Sequence, residues 1–262
     1  MPENAVGTNN TVKTRWRSGR AAVGGWLSLP SAFTAEVMAR QGFDYVCIDM
    51  QHGLIDYQMA LAMLQAISQT PTVPFARVPS NDFAAINKIL DAGALGVIVP
   101  MVNSPEEARA VVDACRYHPE GSRSFGPTRA AHSAGPDYFE RANAEVACIP
   151  MIETRQAVER VDEILSVPGI DAVYVGPADL SITLGQEPRM NNEGAFELAR
   201  QKIAKACAAH GVVAGIHASA ALAEKHIETG YRLITISSDH GSLASGAARD
   251  LRTVRALPGA KV

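Results

Sequence analysis

Residues 45–56 read YVCIDMQHGLID, a short run typical of a buried strand that ends abruptly in polar side chains. The run YVCIDM (45–50) is apolar almost throughout rather than at alternate positions, which indicates a parallel strand covered on both faces. Asp49 lies at its end, and His52 and Gly53 follow. A strand that carries ionisable groups into a loop at its carboxyl end indicates a functional site there.

Runs of the same kind recur along the chain, and each is followed by an amphipathic stretch such as SPEEARAVVDACRYH (104–118). The predicted strands cover residues 22–29, 45–50, 73–78, 95–102, 145–152, 171–176, 212–218 and 232–237. Eight strand–helix alternations predict the α/β class and a single-domain (β/α)8 TIM barrel over residues 19–262. Residues 1–18 are polar and are predicted to form an N-terminal tail.

The composition excludes several classes of protein. Apolar residues make up 47% of the 262 residues and the net charge is −3, so we expect a globular protein without a nucleic-acid or acidic-membrane partner. No apolar run approaches the roughly 20 residues of a membrane helix, and the N-terminus lacks the apolar segment of a signal peptide. The four cysteines are widely separated and form no CxxC motif, which predicts reduced thiols and a cytoplasmic location.

Two carboxylates follow neighbouring predicted strands. Glu153 follows the fifth strand in MIET, and Asp179 follows the sixth in VGPAD. Since catalytic groups of TIM barrels lie at the carboxyl ends of the strands, these side chains should come close together. Paired carboxylates repel unless a proton or a cation is shared, and oxygen ligands suit Mg²⁺ or Mn²⁺. Alternatively, each carboxylate caps the helix that follows it, and position alone does not decide between the two readings.

Arg77 and His52 are the candidate catalytic groups of the second and third strands. Arg77 interrupts the apolar strand VPFARV, and a buried guanidinium needs an anion. We expect it to bind a substrate oxygen, whereas the alternative is a structural salt bridge to Asp49 or Glu153. His52 is the natural general base near neutral pH, with an ordinary loop histidine as the alternative. His217 and His240, after later strands, are expected to line the pocket.

Other features narrow the chemistry. No lysine falls in a predicted strand, which argues against a Schiff-base enzyme, and no GxGxxG or GxxxxGK[ST] nucleotide motif is present. Residues 118–139 form a long irregular segment, and such segments are usually functional. We expect Arg123, Phe125 and Tyr138 of this segment to line the side of the site that takes an aldehyde.

Several motifs resemble those of the metal-dependent (class II) pyruvate aldolases, a family that includes 4-hydroxy-2-oxoheptane-1,7-dioate aldolase, 2-keto-3-deoxy-rhamnonate aldolase and citrate lyase β-type lyases. The resemblance covers residues 20–255 and is carried by GGWLSLPSAFTAEVMARQGFDYVCIDMQHG, RVPSNDFAAINKILDAGALGVIVPMV, PEGSRSFGPTRA, MIETRQAV and VYVGPADLS. It implies reversible aldol cleavage of 4-hydroxy-2-oxo acids to pyruvate or hydroxypyruvate and an aldehyde. It also implies a divalent cofactor, Mg²⁺, Mn²⁺ or Co²⁺, and a homo-hexamer built as a trimer of dimers.

The resemblance assigns roles to individual positions. It makes Glu153 and Asp179 the metal ligands, Ala178 a backbone donor to the substrate carboxylate, Arg77 the stabiliser of the transition state, His52 the base, and Asp91 the group that raises the basicity of this base. Asp91 closes the helix after the third strand and points away from the site of its own chain. We therefore expect it to meet His52 of a neighbouring subunit.

The remaining predicted site residues surround this constellation. Met151 stands where some members have a glutamine that contacts substrate, and Gln51 stands where a glutamate is common. Asp49 is expected to hold the base or a metal-bound water, and Trp26 to contact substrate. Two alternatives remain, a CoA-ester lyase of the same wider family and a non-catalytic metabolite-binding barrel, and the intact polar set argues against the second.

Overall fold

The computed structural model describes residues 10–257, and its core is a barrel of eight parallel strands. The strands are β1 (Ala22–Leu27), β2 (Tyr45–Asp49), β3 (Val73–Arg77), β4 (Gly96–Val99), β5 (Ala147–Pro150), β6 (Ala172–Val175), β7 (Val213–His217) and β8 (Tyr231–Ser238). Hydrogen bonds join them in the order β5-β4-β3-β2-β1-β8-β7-β6. All eight predicted runs form strands, so the TIM-barrel prediction is confirmed.

The barrel closes between β5 and β6 through a short contact rather than a full ladder. Met151, just beyond β5, forms a single parallel bridge with Tyr174 of β6. The backbone N–H of Ile152 donates to the carbonyl of Tyr174 at 2.9 Å. The two strands that precede the predicted metal ligands are therefore neighbours.

Helices surround the barrel, and their starts follow the capping signals in the chain. They are α1 (Thr11–Arg17), α2 (Ala32–Ala39), α3 (Tyr57–Ile67), α4 (Phe83–Asp91), α5 (Pro105–Cys115), α6 (Thr128–Ala134), α7 (Tyr138–Glu145), α8 (Arg155–Glu159), α9 (Val161–Leu165), α10 (Pro177–Thr183), α11 (Ala195–His210), α12 (Ala223–Glu228) and α13 (Asp239–Arg255). Ser31 and Ser104 cap α2 and α5 through their hydroxyls. Such caps fix where each loop at the catalytic end stops.

The barrel interior is filled by large side chains that lie against glycines. Tyr45 and Phe75 stack with ring centroids 5.0 Å apart. A Cβ at Gly24 would stand 2.1 Å from the Tyr45 ring, and one at Gly96 would stand 2.5 Å from the Phe75 ring. These glycines make room for the rings, which fill this part of the barrel interior.

Two segments differ from the prediction. The predicted tail, residues 1–18, contains α1, whose Val12 is fully buried and whose Lys13 pairs with Asp171 at 2.6 Å. Residues 1–9 lie outside the described residues. The segment 118–139, predicted as irregular, contains α6 and the start of α7. Both segments are polar or rich in glycine and proline, so tertiary contacts decide their structure rather than an apolar repeat.

The cysteines agree with the expectation from the sequence. Cys47, Cys115, Cys148 and Cys207 are all buried and free. Within the described part of the chain, none of the helices combines the length and the apolar character needed to cross a membrane.

Candidate active site

A pocket of about 630 Å³ lies at the carboxyl ends of the strands. Several elements contribute to it, since residues of β1, β2, β3, β6, β7 and β8 line it together with residues that follow β1, β2, β5, β6 and β8. Of the residues singled out in the sequence, the pocket brings together Trp26, Asp49, His52, Arg77, Met151, Ala178, Asp179, His217 and His240. The site is therefore where the strand ends predict it.

Asp49 and Arg77 form a buried bidentate pair. Arg77 donates from Nε to Oδ1 of Asp49 at 2.9 Å and from Nη2 to Oδ2 at 2.6 Å. Asp49 also accepts hydrogen bonds from the indole N–H of Trp26 at 3.1 Å and from the backbone N–H groups of Gln51 and His52. The structural salt bridge weighed for Arg77 is thus present. Its Nη1 makes no hydrogen bond within residues 10–257, so one donor remains for a ligand.

This pair has a defined charge state. Burial raises the pKa of Asp49, but the hydrogen bonds and charge of Arg77, with the bond from Trp26, outweigh burial and leave the pKa lowered. Burial likewise opposes the charge of Arg77, and Asp49 leaves its pKa raised. Both groups are therefore ionised at neutral pH. Among the described residues, the hydrogen bond between Asp49 and His52 is made by the backbone N–H of His52 and not by its imidazole.

An aromatic wall stands beside the guanidinium. The Arg77 guanidinium carbon lies 4.9 Å from the centroid of the Trp26 ring, which stacks on Tyr174 at 5.7 Å. The Trp26 ring also meets His217 edge-on at 5.1 Å. Burial and then the charge of Arg77 lower the pKa of His217 to about 4, so this imidazole is neutral at neutral pH. Sequence reasoning missed Tyr174, although it occupies an inward position of DAVYVG.

Glu153 is held by the backbone of the neighbouring strand loop. Its side chain is buried, and Oε1 accepts the backbone N–H of Met101 at 2.8 Å. Thr154, not Glu153, caps α8, so the capping alternative is wrong for Glu153. Asp179 lies in the first turn of α10, which has no side-chain cap among the described residues. Neither carboxylate therefore accepts a capping hydrogen bond at the start of a helix.

The electrostatics of Glu153 favour a nearby positive charge. Burial above all, with a further contribution from the charge of Asp179, raises the pKa of Glu153 to about 7, against the opposing effects of the Met101 N–H and Arg77. A cation bound by both carboxylates would remove this penalty. Gly176 leaves the necessary space, because a Cβ there would stand 2.4 Å from Oε2 of Glu153.

The donor set fits a hard divalent cation. Two carboxylates supply oxygen ligands, and among residues 10–257 no third histidine, cysteine, aspartate or glutamate joins them in a metal-binding group. Mg²⁺ and Mn²⁺ accept one or two carboxylates and fill their other positions with water or substrate oxygens. Glu153 and Asp179 therefore suit a site of this kind better than a zinc site closed by protein ligands.

Besides Glu153, which is buried and is not among the residues that line the pocket, three predicted residues lie at or beyond its margin. His52 is exposed at the rim. Asp91 pairs instead with Arg123 at 2.9 Å and makes no hydrogen bond to His52 within the described chain. Gln51 does not line the main pocket, and its Oε1 is buried without a partner among the described residues. A contact between Asp91 and His52 of a neighbouring subunit stays a prediction.

The segment 118–139 does not line the pocket of its own chain, contrary to the expectation for the aldehyde side. Arg123 is buried against the Tyr117 ring at 4.5 Å and donates to the Tyr138 hydroxyl at 3.1 Å. Phe125 packs against the rings of Tyr117 and Phe139, away from the site. The outer rim is instead formed by Leu54, Pro188, Arg189 and Met190. These loop residues carry no motif, so the sequence offered no signal for them.

Comparison with known proteins agrees with this geometry. Residues 22–246 match the HpcH/HpaI aldolase/citrate lyase family. The chain belongs to this family. A hydroxypyruvate/pyruvate aldolase of Rhizorhabdus wittichii is 40% identical, covering 95% of this chain and all of the relative. A 4-hydroxy-2-oxo-heptane-1,7-dioate aldolase of Klebsiella pneumoniae is 38% identical, covering 91% of each chain.

A solved structure shows the same barrel for the HpcH/HpaI family. The family protein from Burkholderia cenocepacia J2315 superposes with a TM-score of 0.88 at 35% identity, covering 94% of this chain and all of the other. The resemblance predicted from MIETRQAV and VYVGPADLS is therefore confirmed at the level of the family. The predicted class, an aldolase acting as a carbon–carbon lyase, agrees with both named relatives.

Proposed function

We propose that this HpcH/HpaI-family protein catalyses divalent-metal-dependent, reversible aldol cleavage of 4-hydroxy-2-oxo acids. The products are pyruvate or hydroxypyruvate and an aldehyde. The observation that carries the proposal is the buried Glu153 carboxylate beside Asp179, with a raised pKa and space for a cation. The names of the relatives, hydroxypyruvate/pyruvate aldolase and 4-hydroxy-2-oxo-heptane-1,7-dioate aldolase, support the substrate class.

Glu153 and Asp179 hold the cation, with Mg²⁺, Mn²⁺ or Co²⁺ as the candidates. When bound, such an ion supplies Lewis-acid stabilisation of the negative charge that develops on the 2-oxo group. Arg77 adds a second positive charge there through Nη1, and its pairing with Asp49 fixes the guanidinium before substrate arrives. Ala178 offers a backbone N–H in the first turn of α10 to the substrate carboxylate.

His52 is the base of the cleavage. It takes the proton of the 4-hydroxyl, the bond between C3 and C4 breaks, and its electron pair forms the enolate of the 2-oxo acid while the aldehyde leaves. Protonation of C3 then gives pyruvate or hydroxypyruvate. Trp26 and Met151 line the pocket beside this reaction. The thioether of Met151 cannot donate a hydrogen bond, so recognition of the 2-oxo acid falls to Arg77 and Ala178.

The proposal extends to the assembly and the location. We propose a homo-hexamer, a trimer of dimers, in which Asp91 contacts the base of an adjacent subunit. Asp91 is partly exposed and is held on one side by Arg123, so an oxygen remains accessible. Four buried, free cysteines fit a reducing compartment, and we place the protein in the cytoplasm.

Pyruvate release from a 4-hydroxy-2-oxo acid tests the function. We expect release to stop after treatment with EDTA and to return on addition of Mg²⁺, Mn²⁺ or Co²⁺. Glu153→Gln should abolish this return, whereas Glu159→Gln, an exposed glutamate on α8, should leave it intact. Activity that survives thorough metal removal refutes the mechanism. Release that requires a CoA ester identifies the protein as a CoA-ester lyase instead.

A further inference from the structure

The loop between β4 and α5 contains a backbone conformation that L residues rarely adopt. Met101 has a φ of 57°, and it is the one non-glycine residue with positive φ in residues 10–257. Its side chain is 49% exposed, so packing of the side chain does not force this conformation. Since the left-handed region is disfavoured for residues other than glycine, other contacts must hold Met101 there.

The same residue binds Glu153 through its backbone. The backbone N–H of Met101 donates to Oε1 of Glu153 at 2.8 Å. No other hydrogen bond to the Glu153 carboxylate occurs among the described residues. Oε2 faces Gly176 and has no such partner. The orientation of this buried carboxylate therefore depends on where one backbone N–H points.

The side chain of Asn103 binds both the loop after β4 and the residue that follows Glu153. Its Nδ2 donates to the carbonyl of Met101 at 2.8 Å. Its Oδ1 accepts the hydroxyl of Thr154, the residue that follows Glu153 in the chain. The same hydroxyl accepts the N–H of Ala157 at 3.0 Å and thereby caps α8. One amide thus joins the left-handed residue after β4 to the backbone that carries the carboxylate after β5.

We propose that Asn103 is a positioning residue for Glu153, acting by holding Met101 in the conformation that orients the carboxylate toward the cation. The inference rests on the proposed function only in that Glu153 binds a divalent metal. Asn103 is not itself a metal ligand, because both of its polar side-chain atoms already form hydrogen bonds with protein groups. Partners behind a metal ligand commonly change metal affinity by about 10–100-fold when removed.

The test is the dissociation constant of Mn²⁺, measured by electron paramagnetic resonance on the full-length, metal-stripped protein. We expect Asn103→Ala to raise this constant by about tenfold. The matched control is Asn81→Ala, which removes one comparable bond, from Asn81 Nδ2 to the carbonyl of Glu107 at 3.0 Å, and leaves both side-chain bonds of Asn103 in place. Thermal unfolding of both metal-free variants shows whether they lose comparable stability. If Asn103→Ala does not fold, Asn103→Ser takes its place.

A double variant separates positioning from a general structural role. Glycine adopts positive φ without a Cβ penalty, so Met101→Gly combined with Asn103→Ala should recover most of the Mn²⁺ affinity without restoring the lost amide. Equal affinity of Asn103→Ala and wild type overturns the inference, as does an equal loss in Asn81→Ala or a double variant that recovers nothing. Wild-type protein that binds no Mn²⁺ refutes the metal site of the proposed function, and this inference with it.

Discussion

The Glu153→Gln substitution should stabilise the metal-free protein while destroying the proposed metal site. Glu153 is 2% exposed, and its pKa rises on folding from the ordinary 4.5 to about 7, first because of burial and then because of Asp179. Glutamine has the same shape, carries no charge, and keeps an oxygen for the backbone N–H of Met101. The substitution therefore removes the cost of a buried charge and leaves the packing unchanged.

The sign and size of this difference in stability follow from the linkage between protonation and folding. A carboxyl whose pKa is higher in the folded state is stabilising while protonated, so wild type loses stability as pH rises from about 4.5 to about 7. At about 1.4 kcal/mol per pKa unit, the ionised side chain costs roughly 3 kcal/mol at pH 8. At pH 5 most of the folded protein still carries the proton, and the cost falls to about 1 kcal/mol.

The assay is thermal unfolding in EDTA at pH 8 and pH 5, at one protein concentration because the chain is expected to assemble. At pH 8 the variant should unfold roughly 6–12 °C above wild type, and this gap should narrow sharply at pH 5. Glu159→Gln, on the exposed side of α8, should match wild type at both pH values. Mn²⁺ should raise the Tm of wild type and leave that of Glu153→Gln unchanged.

Two results would refute this reasoning. A Glu153→Gln protein that is less stable than wild type in EDTA at pH 8 means that the carboxylate is satisfied by contacts inside the protein. A gain that is the same at pH 5 and pH 8 means that the gain does not come from ionisation of Glu153. In either case the raised pKa would no longer support a cation site.

Three further predictions concern the pocket, the barrel interior and acid stability. Arg77→Lys keeps the charge but loses the bidentate pairing with Asp49, so kcat in steady-state assays should fall by about 10²–10³-fold. Cys47 is fully buried, so Cys47→Ser should lower Tm and leave KM and kcat unchanged. His226 is buried near Arg200, and its pKa is lowered to about 4 by burial and by the charge of Arg200. The neutral imidazole therefore contributes stability above about pH 6.5, and this contribution is lost as pH falls toward 4. His226→Asn should therefore shrink the loss of stability between pH 7 and pH 5 by roughly 2 kcal/mol, measured by urea unfolding, and an unchanged loss would contradict it.

The barrel could be predicted from the sequence because buried parallel strands are apolar along their whole length. Runs such as YVCID and VPFAR keep this signal even where they end in a charged residue. The helices α1 and α6 could not be predicted in the same way. They are short and mostly polar, and α1 is attached to the barrel by particular contacts such as that of Lys13 with Asp171. Such contacts join residues far apart in the chain and leave no local pattern.

The residues of the candidate site likewise differ in whether the local sequence reveals them. The positions of Glu153, Asp179 and Arg77 at strand ends could be predicted, because ionisable side chains are unusual in apolar strands and stand out in the sequence. The Met101 N–H could not, since nearly every residue has such a group and nothing in the local sequence marks this one as the partner of Glu153. The partner of Asp91 was also missed, because Arg123 lies in a segment without an apolar period.

The contrast between Asp49 and Glu153 explains how one barrel mouth serves two purposes. Both carboxylates are 2% exposed, yet the pKa of Asp49 is lowered and that of Glu153 is raised to about 7. Asp49 accepts five hydrogen bonds, two of them from Arg77, so its charge is neutralised within the protein. Glu153 accepts one from a neutral backbone group and faces the charge of Asp179. Equal burial with unequal compensation therefore makes Asp49 the anchor of the fixed cation, Arg77, and leaves Glu153 as the carboxylate that an exchangeable cation would stabilise.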